Sequence, residues 1–188
     1  MKNLLLLVSV FFGSSLLATN VRNYTRTTTY KMFRTDASAG PIGTVHVLID
    51  KSNYELSLYD SKGWYATYPV VFGNNSLSDK KMQGDRNTPE GNFRIIGKRV
   101  HNKWYRFMHI DYPNKESYTK FNMRKQRGEI PPNAQIGGAI GIHGTWPRED
   151  FVVDHYKNWT EGCISMKRSD VDEIYRYCPV GTRVTIRK

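Results

Sequence analysis

The sequence predicts a mainly β (α+β) domain with one clear helix near its C-terminus. Three observations carry that prediction. Aromatic residues make up 13% of the 188 residues, with 12 tyrosines, a bias toward strands over a helical bundle. Segments of period-two apolar alternation recur between short turn segments. The one clear helical stripe, near 169–178, comes with its own start and stop signals.

The first twenty residues are "MKNLLLLVSVFFGSSLLATN". A lysine at position 2 precedes an apolar run from Leu4 to Phe12 and then small residues, the layout of a secretory signal peptide over residues 1–18. Ala18 fits the position before the cut, whereas Leu16 is larger than such a site prefers. The apolar run is short for a membrane span, so contact with a membrane is expected only through this segment if it stays uncleaved. The remaining chain is expected outside the cytoplasm, which argues against a nucleic-acid partner. Residues 19–40 are polar and rich in Thr and Arg, and read as a lead-in. The folded domain is expected over 41–188.

Val45, Val47 and Ile49 alternate with His46, Leu48 and Asp50 as a first strand. A "KSN" turn leads to a second, in which Tyr54, Leu56 and Leu58 alternate. "SKG" turns into "WYATYPVVFGNN", a third strand ending at Gly73. "GNFRIIGKRV" and "KWYRFMHIDY" read as two more, "GGAIGIHGT" as a glycine-rich apolar strand, and "GTRVTIRK" as the closing one. Near the C-terminus Val171, Ile174, Tyr175 and Cys178 share one helical face, Ser169 is placed to cap, and Pro179 stops the helix. A helix over 115–127 has a weaker signal.

The net charge is +11, which suits an anionic partner (nucleic acid, anionic lipid or a polyanionic cell wall) or solubility alone, and the charge by itself does not choose among them. No pair has the spacing of a H-E-x-x-H or Cys-x-x-Cys metal site, the acidic residues show no paired arrangement for glycosidase work, and no metal or cofactor is expected.

The chemistry centres on two residues. Cys163, in "WTEGCISM", is one of only two cysteines. In an oxidising compartment it could pair with Cys178, yet Cys178 lies on the apolar stripe, where a thiol packs as a small hydrophobe. Cys163 could equally be a nucleophile. A thiol nucleophile needs a base and donors for an oxyanion. His143, between Ile142 and Gly144 at the end of the glycine-rich strand, is the candidate base, or else a strand histidine bonded in the core. Backbone amides at Gly162 and Cys163 are candidate oxyanion donors.

Together these stretches resemble the L,D-transpeptidase catalytic domain, or YkuD family. That family carries a histidine, 14–17 residues, then Ser/Thr-His-Gly-Cys. Here His143 is followed by 16 residues and Thr160-Glu161-Gly162-Cys163. "GDRNTPEG", "IHGT" and the closing "DVDEIYRYCPVGTRVTI" are similar too. Glu161 departs from the usual histidine, and Ser165 from the usual arginine or asparagine. The W-T-x-G-C-I version looks most like a periplasmic subgroup of the family.

The resemblance implies an L,D-transpeptidase-like mixed β-sandwich with a short C-terminal-region helix. It implies a periplasmic cysteine enzyme acting on L,D bonds of peptidoglycan stem peptides through a thioester. Cys163 would be the nucleophile, His143 the base, and Gly144 the carbonyl that orients the base. Thr160 and Gly162 would shape the turn and its oxyanion donors. Arg86 is a candidate for a substrate carboxylate or a loop-bracing arginine. Trp159 would line the cleft or pack beside the cysteine turn. Two other readings share the sequence. One is a hydrolytic relative, an L,D-carboxypeptidase or an amidase that releases a wall-linked protein. The other is a non-catalytic wall-binding module.

Overall fold

The computed structural model describes residues 31–36 and 39–188. The segment read as a signal peptide lies outside the described residues. Among the described residues nine strands and three helices follow in chain order: β1 Met32–Phe33, β2 His46–Asp50, β3 Glu55–Asp60, β4 Gly63–Val71, β5 Gly91–His101, β6 Tyr105–Ile110, α1 Lys115–Gln126, β7 Gly141–Gly144, α2 Phe151–Asp154, β8 Ile164–Met166, α3 Arg168–Tyr177 and β9 Arg183–Arg187. Among the described residues no helix is long and apolar enough to cross a membrane.

The strand order is β1-β4-β3-β2-β9-β5-β6-β7-β8, and β8 also pairs with β4. Two long strands, β4 and β5, therefore belong to both layers. β5 pairs with β9 through residues 91–94 and with β6 through residues 95–101. β4 pairs with β3 along most of its length and with β8 at Val70 and Val71. Strands that pass from one layer to the next make the corners of a sandwich. The sheet is mixed, because β2–β9 and β7–β8 run parallel and the other pairs antiparallel. The mainly β, mixed architecture is the one the sequence predicts.

The predicted alternation lands on the core. Val45, Val47, Ile49, Tyr54, Leu56 and Leu58 are all buried, as are Val184 and Ile186 of β9. Met32–Phe33, inside the segment read as a lead-in, pair with Thr67 and Ala66 of β4, so the sheet takes in residues before Pro41.

Helix α3 buries Val171 and Ile174, with Cys178 just beyond its end, against β6 and β7. Its start differs from the sequence reading. The N-cap is Lys167 with no side-chain cap bond, and Ser169 lies inside the helix with Oγ on Asp170 Oδ1. Arg168 N instead donates to Asp150 Oδ1 at 3.1 Å. A carboxylate distant in sequence thus takes one amide of the first turn, and Ser169, already inside the helix, is not placed to cap it. Helix α1 does form, opened by Asn114, whose side chain accepts from Ser117 N. Its only buried residue is Phe121, which accounts for its faint periodic signal.

Candidate active site

The site sits where β6, β7 and β8 lie side by side. Register fixes which side chains meet there. Phe107 of β6 faces His143 of β7, and His143 faces Ser165 of β8. His109 faces Gly141 one step along. Cys163 stands just before β8, two residues from Ser165, so period-two alternation brings it to the same face as His143. Strands about 4.8 Å apart with a rise of about 3.3 Å per residue make Cys163 and His143 diagonal neighbours across a parallel pair. Their separation of 20 residues in sequence is closed by that register.

Cys163 is half-buried and Cys178 buried, and both thiols are free. The Cys163–Cys178 bridge does not form. Cys163 Sγ lies 3.6 Å from Ala139 O, a carbonyl turned toward it by a left-handed φ of 56° at Ala139. Burial pushes the Cys163 thiol up to about 11, against smaller opposing effects of the Gly141 amide and the Lys80 charge.

His143 is 2% exposed. It does not stand open in a cleft but lies among three aromatic rings. Trp104 and Phe107 stack on it at 5.0 and 5.9 Å, and Trp159 meets it edge-on at 5.6 Å. Its Nδ1 is 2.8 Å from Gly144 O. A carbonyl can only accept, so this contact places the proton on Nδ1 and leaves Nε2 as the acceptor. Burial pushes the imidazole down to about 4, with the Gly144 carbonyl opposing. At neutral pH the site therefore holds a neutral thiol and a neutral imidazole.

Thr160 organises the turn. Its hydroxyl donates to Cys163 O at 2.7 Å and accepts from Gly162 N–H at 3.2 Å. The Gly162 amide is thereby engaged, leaving the Cys163 amide as the remaining oxyanion candidate of the two. Gly162 has φ +122°, a conformation that favours glycine. The turn is docked on β4's end: Trp159 N and Thr160 N both reach Phe72 O, and Asn158 Oδ1 accepts from Phe72 N at 2.7 Å.

Arg86 sits at the rim. Its Nε is 3.4 Å from both Thr160 O and Glu161 Oε1, so it braces the cysteine turn. Glu161 and Lys80 line a groove of about 540 Å³ with Gly137, Gly138 and Ala139. Asp85, in "GDRNTPEG", accepts from Lys80 Nζ at 2.8 Å and from the amides of Lys81, Met82 and Asn87. The Trp104 and Phe107 faces, Asn158 and the Lys80–Asp85 pair escaped the sequence reading. Of these only Asp85 has a local signal, an aspartate inside a turn-rich segment. Among the described residues, no group of three or more His, Cys, Asp and Glu could hold a metal ion.

Known proteins share this arrangement of elements. The family model for the L,D-transpeptidase catalytic domain, YkuD, matches residues 44–186. YqjB of Bacillus subtilis, a candidate L,D-transpeptidase by name, is 30% identical over 149 residues, covering 77% of this chain and 72% of that protein. Among solved structures, the helical cell shape determining protein Pgp2 from Campylobacter jejuni aligns with a TM-score of 0.55 at 21% identity. The alignment covers 77% of this chain and 48% of that one. Bd1075 of Bdellovibrio bacteriovorus aligns at 0.52 with 20% identity, over 84% and 51% of the two chains. This chain thus spans about half the length of these two structures, and at such identities they speak for the fold alone. With the family model matched from β2 to β9, the chain belongs to the L,D-transpeptidase catalytic domain (YkuD) family.

Proposed function

We propose that this protein is a periplasmic L,D-transpeptidase that uses Cys163 and His143 to modify peptidoglycan stem peptides. The observation that carries the reading is the β7–β8 register. It brings Cys163 to the face of His143, whose Nδ1 is held by Gly144 O with Nε2 left as an acceptor.

Cys163 Sγ attacks the carbonyl carbon of an amide between an L-centre and a D-residue. Its proton passes to His143 Nε2 as the C–S bond forms. The oxyanion is met by the Cys163 amide. The C–N bond then breaks, His143 returns the proton to the departing amine, and a thioester remains on Cys163. An acceptor amine attacks the thioester and gives its proton to His143. The C–S bond breaks, and the sulfur recovers that proton. A neutral imidazole is the form able to accept the first proton, and burial keeps His143 in that form. Thr160 fixes the turn that presents Cys163, and Trp159 closes one side of the imidazole. The net charge of +11 suits a wall that carries free carboxylates.

The test is incubation of the protein lacking residues 1–18 with disaccharide-tetrapeptide, read by mass spectrometry beside Cys163→Ala and His143→Ala. A thioester adduct followed by cross-linked dimers is expected from the wild type alone. Tripeptide without dimers would reassign the protein as an L,D-carboxypeptidase. Unchanged masses in all three samples would turn attention to a wall-linked protein substrate and to the wall-binding alternative.

A further inference from the structure

A second groove, of about 420 Å³, opens on the other side of Ala139, lined by Gly97, Lys98, Arg99, Phe107, His109 and Ala139. Sheet register ties it to the site. Gly97 faces His109, which faces Gly141, in the row that leads to Cys163. Arg99 faces Phe107, which faces His143 and then Ser165. The groove thus ends at Ala139, whose carbonyl touches Cys163 Sγ.

Two of its groups lack the partners their chemistry calls for. The Arg99 guanidinium rests over the Phe107 ring at 5.1 Å, and no carboxylate among the described residues pairs with it. The neighbouring cations are occupied. Lys98 Nζ donates to Tyr175 O, and across Ala139 Lys80 is held by Asp85 and Arg86 by Glu161 and Thr160 O. His109 Nε2 is buried with no hydrogen-bond partner, an arrangement that native structures seldom leave without a reason.

We infer that Arg99 and His109 form a carboxylate-recognising subsite for the peptide processed at Cys163. The inference rests on the reading of the protein as a peptidoglycan-peptide enzyme. A guanidinium offers two parallel N–H donors to a carboxylate, and stacking on Phe107 holds its plane in place before the ligand arrives. His109, in the neighbouring row, can donate from Nε2–H to the same carboxylate once its ring turns out of its buried position toward the ligand. Position 165, in register with His143, carries a serine with a buried, unpartnered hydroxyl. Arg99 brings a guanidinium to that row from the opposite side. Both carboxylates of a stem peptide have the required chemistry: the C-terminal carboxylate of the D-residue and the side-chain carboxylate of a diaminopimelate.

The test uses the Cys163→Ala protein, which cannot turn substrate over, with Arg99→Gln and His109→Gln added singly. Binding is titrated for three tetrapeptides: unmodified, amidated at the C-terminus, and amidated at the diaminopimelate side-chain carboxylate. One of the two amidations is expected to weaken binding by roughly 10- to 100-fold, and it identifies which carboxylate is read. Arg99→Gln should weaken the unmodified peptide to the same degree and change the weakened amide little. His109→Gln should give a smaller loss confined to the same pair. Arg99 is exposed, so a melting temperature within a degree or two of the parent is expected. Equal binding of all three peptides overturns the inference, as does a preference that survives Arg99→Gln. Turnover of the unmodified peptide by the wild type judges the underlying reading separately. Turnover that is indifferent to both amidations would leave that reading standing and sink this one.

Discussion

Thr160 donates its hydroxyl to the Cys163 carbonyl at 2.7 Å, closing the turn that presents the thiol. The same oxygen accepts the Gly162 amide. Thr160→Val keeps the shape but strands a buried N–H and a carbonyl, at a cost of about 1–3 kcal/mol. Because the turn positions the sulfur, we expect kcat to fall roughly 10-fold or more, with Thr160→Ser restoring most of it. An undiminished kcat in Thr160→Val would remove Thr160 from the positioning role.

The buried imidazole predicts a pH dependence of stability. His143 titrates near 4 in the folded protein and near 6.5 when unfolded. Between those values the unfolded chain binds the extra proton, so stability falls as pH drops from about 6.5 to about 4, by about 3 kcal/mol in all. Urea unfolding of the wild type and His143→Gln across this range should show the wild type losing ground to the variant by that amount. Parallel pH profiles for the two proteins would refute the assignment.

Cys163 should alkylate slowly at neutral pH. Only the thiolate reacts, and burial holds the thiol near 11. The rate with iodoacetamide should keep climbing above pH 9 rather than level off there. A plateau near pH 7 would instead mean that a thiolate–imidazolium pair exists at rest.

Gly73 has no room for a side chain. A Cβ there would meet Arg86 O at 2.2 Å, Thr160 O at 2.5 Å and Gly162 N at 2.7 Å. All three are backbone atoms and cannot swing aside. Gly73→Ala should cost about 3 kcal/mol and reduce turnover by shifting the cysteine turn. A thermal melt and a rate with the same peptide check both halves.

Lys51 is buried, with Nζ 2.7 Å from Glu90 Oε1 and within reach of Ser78 O and Thr88 O. It ties the "TPEG" segment to the end of β2. Lys51→Ala leaves Glu90 and two carbonyls without their donor, and we expect a loss of about 3 kcal/mol. Equilibrium denaturation measures it directly.

The strands were legible because Val47, Ile49, Leu56 and Leu58 obey a period-two pattern that needs no distant information. The residues alone left Cys163 and His143 open between chemistry and packing, and it was the resemblance to the family motif that paired them. What escaped depends on tertiary contacts. β8 has three residues, too few to show alternation. Ser169 looked like a cap because its competitor, Asp150, lies 18 residues upstream of Arg168. Trp104 reaches His143 only through the β6–β7 pairing and the turn before it. Arg86 was open to either reading, substrate carboxylate or loop brace, because its partner Glu161 lies 75 residues away in sequence.

Strand β8 is bonded on both edges, to β7 and to β4. It joins a strand from early in the chain to one from its second half, and Cys163 immediately precedes it. Cys163 therefore acquires its imidazole neighbour, its turn and its aromatic surroundings only when this three-residue seam is fastened. In the unfolded chain Cys163 would be an ordinary, readily ionised thiol, so assembly of the sandwich shelters the sulfur in the same step that gives it an imidazole neighbour.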